Sequence, residues 1–442
     1  MTTRSIRPLP ADPGRSGWEA ISRRTLPVRP LETDETADWL VIGAGFAGLS
    51  AARRVTQNRP GERIVVLDAR ELAQGPAGRN SGFMIDVPHD LSSGEYSSGD
   101  EGGTIREMAD NRLAIGFARE AAAEYDMPSA TFDPYGKINA AATDRGERLN
   151  ASFAASLAKI GEPLRLIDAA EMRDITGSAY YRGGLYTPGA VLIQPADYIR
   201  SLAAGLAPKI GLHENSPVTA LSRDGGLWTA RTPKGSVRAP KVILGVNGLV
   251  QAFGHFGGRL MHVFTYASMT APFPTGAGRD RWALLPADPM GATVRKLTGA
   301  DGARIVIRTR FTYDPAAEIP DGRVAATVAQ QRRSFDARFP DLAGVRFDHS
   351  WAGRLALSLN HVPAFGELEE GLFSACCCNG LGTVKSTLAG MMAADLATGC
   401  TSAELTRYAD QPQPKRLPPQ PIAWLGANAV IRWQERRAGR EG

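Results

Sequence analysis

The sequence predicts an α/β protein in which a discontinuous Rossmann-like domain carries an α+β domain built on a mainly antiparallel sheet. Residues 37–70 predict a strand, a glycine-rich turn, a helix and a second strand, which is the unit that binds dinucleotides. Residues 372–396 repeat the strand, glycine turn and helix far along the chain. Residues 260–345 contain strand candidates joined by turns, among them the hairpin signal Asp301-Gly302.

The first glycine-rich turn has the full G-x-G-x-x-G spacing and follows the apolar run Trp39 to Ile42. Gly43 allows a tight turn, Gly45 allows close approach of a pyrophosphate, and Gly48 allows the helix to pack on the strand. Asp68 ends the second strand 25 residues after Gly43, where an acid binds ribose hydroxyls. The unit therefore predicts dinucleotide binding, with a glycine-rich turn in an ordinary α/β domain as the alternative.

Composition and charge indicate a globular protein of two or three domains. The chain has 442 residues, of which 43% are hydrophobic and 22% are charged. Residues 1–30 and 415–442 each contribute +4 to the net charge of +5, so the remaining residues carry −3. Because only the two ends are basic, the charge pattern argues against a nucleic-acid-binding groove.

The cysteines predict neither disulfides nor a metal site. Cys376, Cys377 and Cys378 are consecutive, and Cys400 stands alone. Consecutive residues do not form a disulfide framework or converge on one zinc ion, so small buried residues in a strand are expected. We find no apolar signal segment and no apolar run long enough to span a bilayer, and we therefore predict a cytoplasmic protein without a transmembrane segment.

The predicted domain organisation follows from the order of these segments. Residues 1–36 are rich in proline and arginine and predict an extended arm over the surface. Residues 91–104 are polar and predict a lid or entrance loop. The Rossmann-like domain is predicted to comprise residues 37–100, 185–255 and 346–400, the substrate domain residues 101–184 and 256–345, and the C-terminal tail residues 401–442.

Several stretches together resemble a known family. They include ADWLVIGAGFAGLSAA, GPAGRNSGF, APKVILGVNG, WAGRLALSLNHVPAFG and CNGLGTVKSTLAGMMAADLATG, and they span most of residues 37–400. On these motifs the chain resembles the FAD-dependent D-amino acid oxidase superfamily, and within it the gamma-glutamylputrescine oxidase-like branch. The resemblance makes the Rossmann-like domain an FAD-binding domain.

The resemblance implies an extended FAD with its diphosphate on the first glycine turn, its adenosine ribose on Asp68 and its flavin edge near the second glycine turn. The cofactor-binding residues that it implies are Gly43, Gly45, Phe46, Ala47, Gly48, Asp68, Ala69, Arg70, Arg79, Asn80, Ser81, Gly82, Val218, Asn247, Gly248, Gly380, Leu381, Gly382 and Thr383.

Two departures from the sarcosine-oxidase branch of that superfamily affect the expected chemistry. That branch tethers FAD through a cysteine, and the matching stretch Leu355–Val362 has none, so non-covalent FAD is expected. That branch also places a lysine near the flavin, and the match falls on Val306, with Arg308 nearby and Lys296 on the partner strand. Oxidase and dehydrogenase therefore both stay open, with O2 or another electron acceptor.

The implied reaction is oxidation of a C–N bond in a small amine or amino acid by hydride transfer to flavin N5, which gives an imine that hydrolyses. Arg308 and Tyr266 are candidates to grip a substrate carboxylate. His361 and Trp351 are candidates for positions near the flavin. Each of these four residues has an ordinary structural role as its alternative. The alternative functions are an NAD(P)H-dependent flavin monooxygenase and a flavoprotein whose FAD is structural.

Overall fold

In the computed structural model, which describes residues 3–12, 14–88, 101–276, 278–319 and 322–442, a six-stranded sheet carries both glycine-rich turns. Its first five strands are parallel and its last strand is antiparallel. Trp39–Ile42 and Ile64–Leu67 are buried along their whole length, as expected for parallel strands covered on both faces. The strand order is Gly211–His213, Ile64–Leu67, Trp39–Ile42, Lys241–Leu244, Leu372–Cys376 and Ala364–Glu369.

Helices cover one face of this parallel sheet and a small sheet covers the other. Val41 and Val66 point toward the helices Phe46–Asn58, Pro195–Leu206 and Gly382–Thr398, with which they share a core. Leu40 and Val65 belong to a second core, which contains side chains of the small sheet. The small sheet has the order Thr3–Ser5, Ala220–Asp224, Leu227–Arg231, Ser236–Ala239 and Glu35–Thr36.

An eight-stranded sheet forms the second half of the molecule and is mainly antiparallel, as the sequence predicts. Its one parallel pair joins Trp282–Pro286 to Lys137–Ala141. The predicted turn at Asp301-Gly302 closes a hairpin in this sheet. Its order is Phe347–Ser358, Leu260–Thr270, Gly302–Tyr313, Thr293–Gly299, Trp282–Pro286, Lys137–Ala141, Gly183–Thr187 and Arg165–Asp168.

A three-stranded sheet and further helices complete the described residues. This three-stranded sheet has the order Phe83–Met84, Val191–Ile193 and Phe132–Asp133. No helix within the described ranges is both long enough and apolar enough to cross a membrane. The remaining α-helices are Gly17–Ile21, Glu101–Glu124, Asp144–Lys159, Ala169–Thr176, Arg323–Arg338, Ala403–Ala409 and Ile422–Ala438, and 3-10 turns span Pro76–Gly78, Asn247–Phe253, Pro340–Leu342 and Gly439–Glu441.

The predicted fold class is confirmed, but some segments lie elsewhere than the predicted boundaries suggest. Phe347–Ser358 is an edge strand of the eight-stranded sheet, although residues 346–400 were assigned to the FAD-binding domain. Gly183–Thr187 also lies in the eight-stranded sheet and crosses the predicted boundary at residue 185. The division into domains stays a prediction. Of the predicted lid, residues 91–100 lie outside the described residues, and 101–104 begin the helix Glu101–Glu124.

Both ends of the chain contact the rest of the molecule through defined side chains. Trp18 is fully buried on the short helix Gly17–Ile21. The C-terminal helix covers the end of the strand Gly302–Tyr313 beyond its pairing with Thr293–Gly299. There the amide of Phe311 donates to Glu435 Oε1 at 2.7 Å, so a side chain of the C-terminal helix satisfies a strand amide.

Candidate active site

One large cavity runs from the carboxyl ends of the parallel strands to the eight-stranded sheet. It encloses about 1820 Å³ up to and including its open mouth. Both glycine-rich turns line it, and so do residues of the eight-stranded sheet such as Thr265 and Arg308. Ligands of open α/β sheets bind outside the carboxyl ends of the strands, so the cavity has the position expected of a cofactor site.

The first glycine turn brings bare backbone to the cavity wall. A Cβ on Gly48 would lie 1.7 Å from the Gly43 carbonyl oxygen, so helix and strand pack at a distance that only glycine permits. A Cβ on Gly45 would meet only the Ala77 Cβ, at 3.5 Å, because Gly45 faces the cavity. Gly45 is also the N-cap of Phe46–Asn58, and no side chain caps this helix. Its first N–H groups are therefore available to an anionic ligand.

Asp68 lies at the cavity wall beside this turn. Its Oδ2 accepts a hydrogen bond from the Ala44 amide at 2.7 Å and its Oδ1 accepts one from the Arg70 amide at 2.9 Å. Burial raises the pKa of Asp68, and the two backbone N–H groups oppose that rise. Each carboxylate oxygen keeps a lone pair for a further donor, so the side chain can accept hydroxyl groups of a ligand.

The second glycine turn lies on the wall of the same cavity. Gly380, Leu381, Gly382 and Thr383 all line it. The helix Gly382–Thr398 begins after Leu381 and also lacks a side-chain cap. Thr383 lies in the first turn of this helix, and its hydroxyl donates to the Phe83 carbonyl oxygen, so it ties this helix to the strand Phe83–Met84.

The eight-stranded sheet supplies a cation to the far end of the cavity. Arg308 is only 8% exposed and lines the cavity. Its Nη2 donates to Thr293 Oγ1 at 2.5 Å, and its guanidinium carbon lies 4.9 Å from the centre of the Phe311 ring. These contacts orient the guanidinium, which can bind a carboxylate in the cavity.

Comparison with known proteins identifies the family. The model of the family described as FAD dependent oxidoreductase matches residues 38–396. The chain belongs to the FAD-dependent oxidoreductase family. The predicted superfamily and the predicted cofactor, FAD, are therefore both confirmed. This chain is an FAD-dependent oxidoreductase.

Relatives of this FAD-dependent oxidoreductase cover most of its length. It is 27% identical over 398 residues to gamma-glutamylputrescine oxidoreductase of Escherichia coli, covering 87% of this chain and 89% of that one. It is 26% identical over 412 residues to the probable oxidoreductase OrdL of Rhizobium meliloti, covering 88% and 90%. Glycine oxidase from Geobacillus kaustophilus has a similar fold, with a TM-score of 0.69 and 19% identity over 87% of this chain and 100% of that one.

The cavity fits FAD. Two uncapped helix N-termini line it, and both present N–H groups that favour negative charge. Asp68 offers carboxylate oxygens at the wall, and the open space at Gly45 admits a diphosphate against the backbone. Of the residues predicted to bind FAD, those that line the cavity are Gly43, Gly45, Phe46, Ala47, Asp68, Ala69, Arg70, Asn80, Ser81, Val218, Asn247, Gly380, Leu381, Gly382 and Thr383.

Four residues predicted to bind FAD lie behind the cavity wall. Gly48 packs against Gly43, and a Cβ on Gly248 would lie 2.7 Å from the ring of His262. The Gly82 carbonyl oxygen accepts a hydrogen bond from Arg295 Nη1 at 3.1 Å. These residues support the wall, and their direct contact with FAD stays a prediction.

Arg79, the fourth of these residues, binds backbone carbonyls. Its guanidinium donates to the oxygens of Gln74 at 2.6 Å, Asp12 at 2.6 Å and Ala352 at 3.3 Å. Burial lowers the pKa of Arg79, and the negative charge of Asp12 opposes this. Arg79 therefore connects the loop that contains Gln74 to the N-terminal arm at Asp12 and to the eight-stranded sheet at Ala352.

Of the four catalytic candidates, Arg308 is the one that lines the cavity. Tyr266 is buried, and its hydroxyl pairs with Thr312 Oγ1 at 2.7 Å. Trp351 is buried behind the wall, and its Nε1 donates to the Arg79 carbonyl oxygen at 3.0 Å. His361 is exposed in the turn after Phe347–Ser358. The catalytic roles of all four stay predictions.

The N-terminal arm contributes a group of cavity residues that the sequence pattern does not predict. Ile6, Pro8, Leu9, Pro10 and Asp12 all line the cavity. The arm has no periodic pattern, so neither a helix nor a strand was predicted there. The apolar residues among its prolines and arginines were the available signal, and they indicate burial without indicating what covers them.

Proposed function

We propose that this FAD-dependent oxidoreductase oxidises the C–N bond of a small amine or amino acid that carries a carboxylate. The observation that supports the proposal is the position of Arg308, which lines the same cavity as both glycine turns. Relatives are named gamma-glutamylputrescine oxidoreductase and dimethylglycine dehydrogenase, and fold neighbours are titled glycine oxidase and iminodiacetate oxidase.

The side chains at this end of the cavity divide the work of binding. Arg308 binds the substrate carboxylate and orients the C–N bond. Phe83, Ile85 and Leu285 form apolar walls. An apolar wall disfavours the ammonium form, because burial lowers the pKa of an amine, and the amine is therefore held in the neutral form.

FAD, when bound, accepts the two electrons that are removed from the substrate. The helix Gly382–Thr398 presents its N-terminal N–H groups to the cavity, where they would favour negative charge on bound FAD. None of the described residues that line the cavity is a histidine, a lysine or a tyrosine. The proposed hydride transfer starts from the neutral amine and therefore needs no proton abstraction by a protein base.

We further propose that FAD is held without a covalent bond. The stretch Leu355–Val362 contains no cysteine. Among the described lining residues, Cys378 is the cysteine that reaches the cavity. Acid precipitation of the purified yellow protein should leave the flavin in the supernatant. A yellow pellet that loses its flavin on Cys378→Ala substitution would contradict the proposal.

The electron acceptor is proposed to be O2 or another oxidant, in a cytoplasmic enzyme. Val306, which matches the lysine of the sarcosine-oxidase branch, is 3% exposed and lies outside the cavity lining. Lys296 is buried, and burial lowers its pKa. The rate at which air re-oxidises the bleached flavin distinguishes an oxidase from a dehydrogenase.

An anaerobic titration tests the proposed reaction. The holoenzyme is mixed with N-substituted amino acids, D- and L-amino acids, gamma-glutamyl amines and simple amines, and the visible flavin spectrum is recorded. Bleaching by amines that carry a carboxylate supports the proposal. Bleaching by NAD(P)H alone would indicate a monooxygenase, and a flavin that neither group reduces would indicate structural FAD.

Substitution of Arg308 tests the binding of the carboxylate. Arg308→Met should lower kcat/KM for the best substrate by about 30-fold or more, because a buried charge pair contributes about 2–5 kcal/mol. Arg310→Met on the same strand is the matched control, since Arg310 lies outside the cavity lining and 3.4 Å from Glu435. Equal losses in both variants would contradict the assigned role, as would an unchanged kcat/KM in Arg308→Met.

A further inference from the structure

The N-terminal strap, defined as residues 3–12, is fixed to the small sheet at its beginning. Thr3–Ser5 pairs antiparallel with Ala220–Asp224, and Arg4 lies opposite Leu221. The Ile6 amide continues this pairing with a hydrogen bond to the Thr219 carbonyl oxygen at 2.9 Å. Backbone hydrogen bonds therefore hold the first residues of the strap in a fixed register with the strand Ala220–Asp224.

The segment just after the strap is fixed by Trp18. Its side chain is fully buried, and its Nε1 donates to the Asn80 carbonyl oxygen at 2.8 Å. Gln194 Nε2 donates to the Trp18 carbonyl oxygen at 2.9 Å, and the guanidinium carbon of Arg295 lies 5.2 Å from its ring centre. A buried tryptophan with these contacts is a strong anchor, because it combines a large apolar surface with a satisfied N–H.

Between the two anchors the strap forms part of the cavity wall. Ile6, Leu9 and Asp12 line the cavity together with Pro8 and Pro10. The two prolines limit the conformations of the strap, so less entropy is lost when it is held in place. The strap lies outside residues 38–396, which the family model matches.

Two buried arginines hold the end of the strap. Arg354 Nη2 lies 3.3 Å from Asp12 Oδ2, and both side chains are 5% exposed. Arg79 Nη2 donates to the Asp12 carbonyl oxygen at 2.6 Å and also to that of Gly14. Removal of the Asp12 carboxylate would leave Arg354 buried without this partner, which is costly in a site of this burial.

The strap also contacts the residues beside Asp68. Arg70 Nη1 donates to the Ala11 carbonyl oxygen, and the Arg70 amide donates to Asp68 Oδ1 at 2.9 Å. One residue therefore joins the strap to the acid at the adenosine end. Val218 also lines the cavity, and it shares a hydrophobic core with Ile6 of the strap.

We propose that the N-terminal strap is part of the FAD site and that it slows release of the cofactor from its adenosine end. The Asp12–Arg354 pair and the Arg79 hydrogen bonds keep the strap closed. Entry and release of FAD require these contacts to open while Trp18 stays anchored. The proposal concerns cofactor retention and does not depend on which amine the enzyme oxidises.

The test measures FAD release directly. Asp12→Ala holoenzyme is diluted into FAD-free buffer, and the rise of free-flavin fluorescence gives the dissociation rate. We expect a rate about tenfold or more above that of the wild type, because a buried ion pair that closes the strap is broken. Glu32→Ala is the matched control, since Glu32 pairs with Lys234 at 2.8 Å on the exposed surface of the same arm.

A second variant and a second measurement keep the test independent of folding. Deletion of residues 1–12 should raise the release rate at least as much as Asp12→Ala, with Trp18 retained. In the unaltered protein, FAD should slow hydrogen–deuterium exchange of peptides that cover the strap. Wild-type release rates in both variants would overturn the proposal. Strap exchange that FAD does not change would also overturn it, including in the case that the variants fail to fold.

Discussion

A pair of alanine substitutions in the first glycine turn should separate cofactor binding from folding. Gly45 and Gly48 are three residues apart in the same motif but meet different surroundings. A methyl group on Gly48 would lie 1.7 Å from the Gly43 oxygen and 2.8 Å from the Gly43 carbonyl carbon. A methyl group on Gly45 would meet only the Ala77 Cβ, at the ordinary contact distance of 3.5 Å.

The expected magnitudes follow from these distances. Gly48→Ala must move backbone by more than an ångström, and overpacking of this kind costs about 3 kcal/mol or more. At roughly 2 °C per kcal/mol, the Tm of the FAD-free protein should fall by about 6 °C or more. Gly45 has φ −86° and ψ −165°, which any residue adopts, so the free energy of unfolding should change by no more than about 1 kcal/mol.

Gly45→Ala should weaken FAD binding, although it leaves the free energy of unfolding nearly unchanged. The added methyl group projects into the cavity where the diphosphate approaches the backbone. A steric cost of about 1–3 kcal/mol corresponds to a Kd for FAD raised by roughly 5- to 150-fold. The assay is a thermal melt of FAD-free protein by circular dichroism, followed by a fluorescence titration with FAD. Wild-type FAD affinity in Gly45→Ala would refute the assignment of this turn, as would an equal loss of Tm in the two variants.

Two buried bases predict that stability rises with pH, each in its own pH range. Burial lowers the pKa of His262 to about 4, so as the pH falls below about 6.5 the unfolded chain binds the proton first and stability declines by about 3 kcal/mol down to pH 4. His262→Gln should flatten this acid limb in urea titrations at several pH values. Burial lowers the pKa of Lys137 to about 8, so between about pH 8 and pH 10.4 the unfolded chain binds more protons and stability rises with pH. Lys137→Met should raise the free energy of unfolding at pH 7 by up to about 3 kcal/mol and remove the slope, and an unchanged slope would show that Lys137 does not cause it.

Segments with a local signal were predicted closely from the sequence. The sequence predicts helices over residues 195–206 and 323–338, and the observed helices Pro195–Leu206 and Arg323–Arg338 have the same ends. Pro195 stands at the first helical position, and the Gln194 side chain accepts a hydrogen bond from the Asp197 amide at 2.9 Å. Proline at this position and a capping side chain act within one turn, so the residues that start this helix are adjacent in the sequence.

The N-terminal arm was predicted less well because its partners are distant in the sequence. Trp18 is buried by contacts with Asn80, Gln194 and Arg295. Nothing within the arm indicates which of these residues it meets, and an isolated tryptophan among prolines carries no periodicity. For the same reason Trp351, predicted near the flavin, could not be placed against Gly17, whose added Cβ would lie 2.8 Å from its ring.

The convergence of the two glycine turns depends on sheet order, which the sequence pattern does not contain. Lys241–Leu244 lies between Trp39–Ile42 and Leu372–Cys376, with Leu244 paired to both Ile42 and Ser374. Both turns therefore follow the carboxyl ends of parallel strands on the same side of the sheet, and the helices that follow the turns pack side by side. A Cβ on Gly390 would lie 2.1 Å from the Ala47 carbonyl oxygen, so this glycine lets the second helix approach the start of the first. The sheet order and this close helix packing together bring two helix N-termini to a single cavity, although the turns are more than 300 residues apart in the chain.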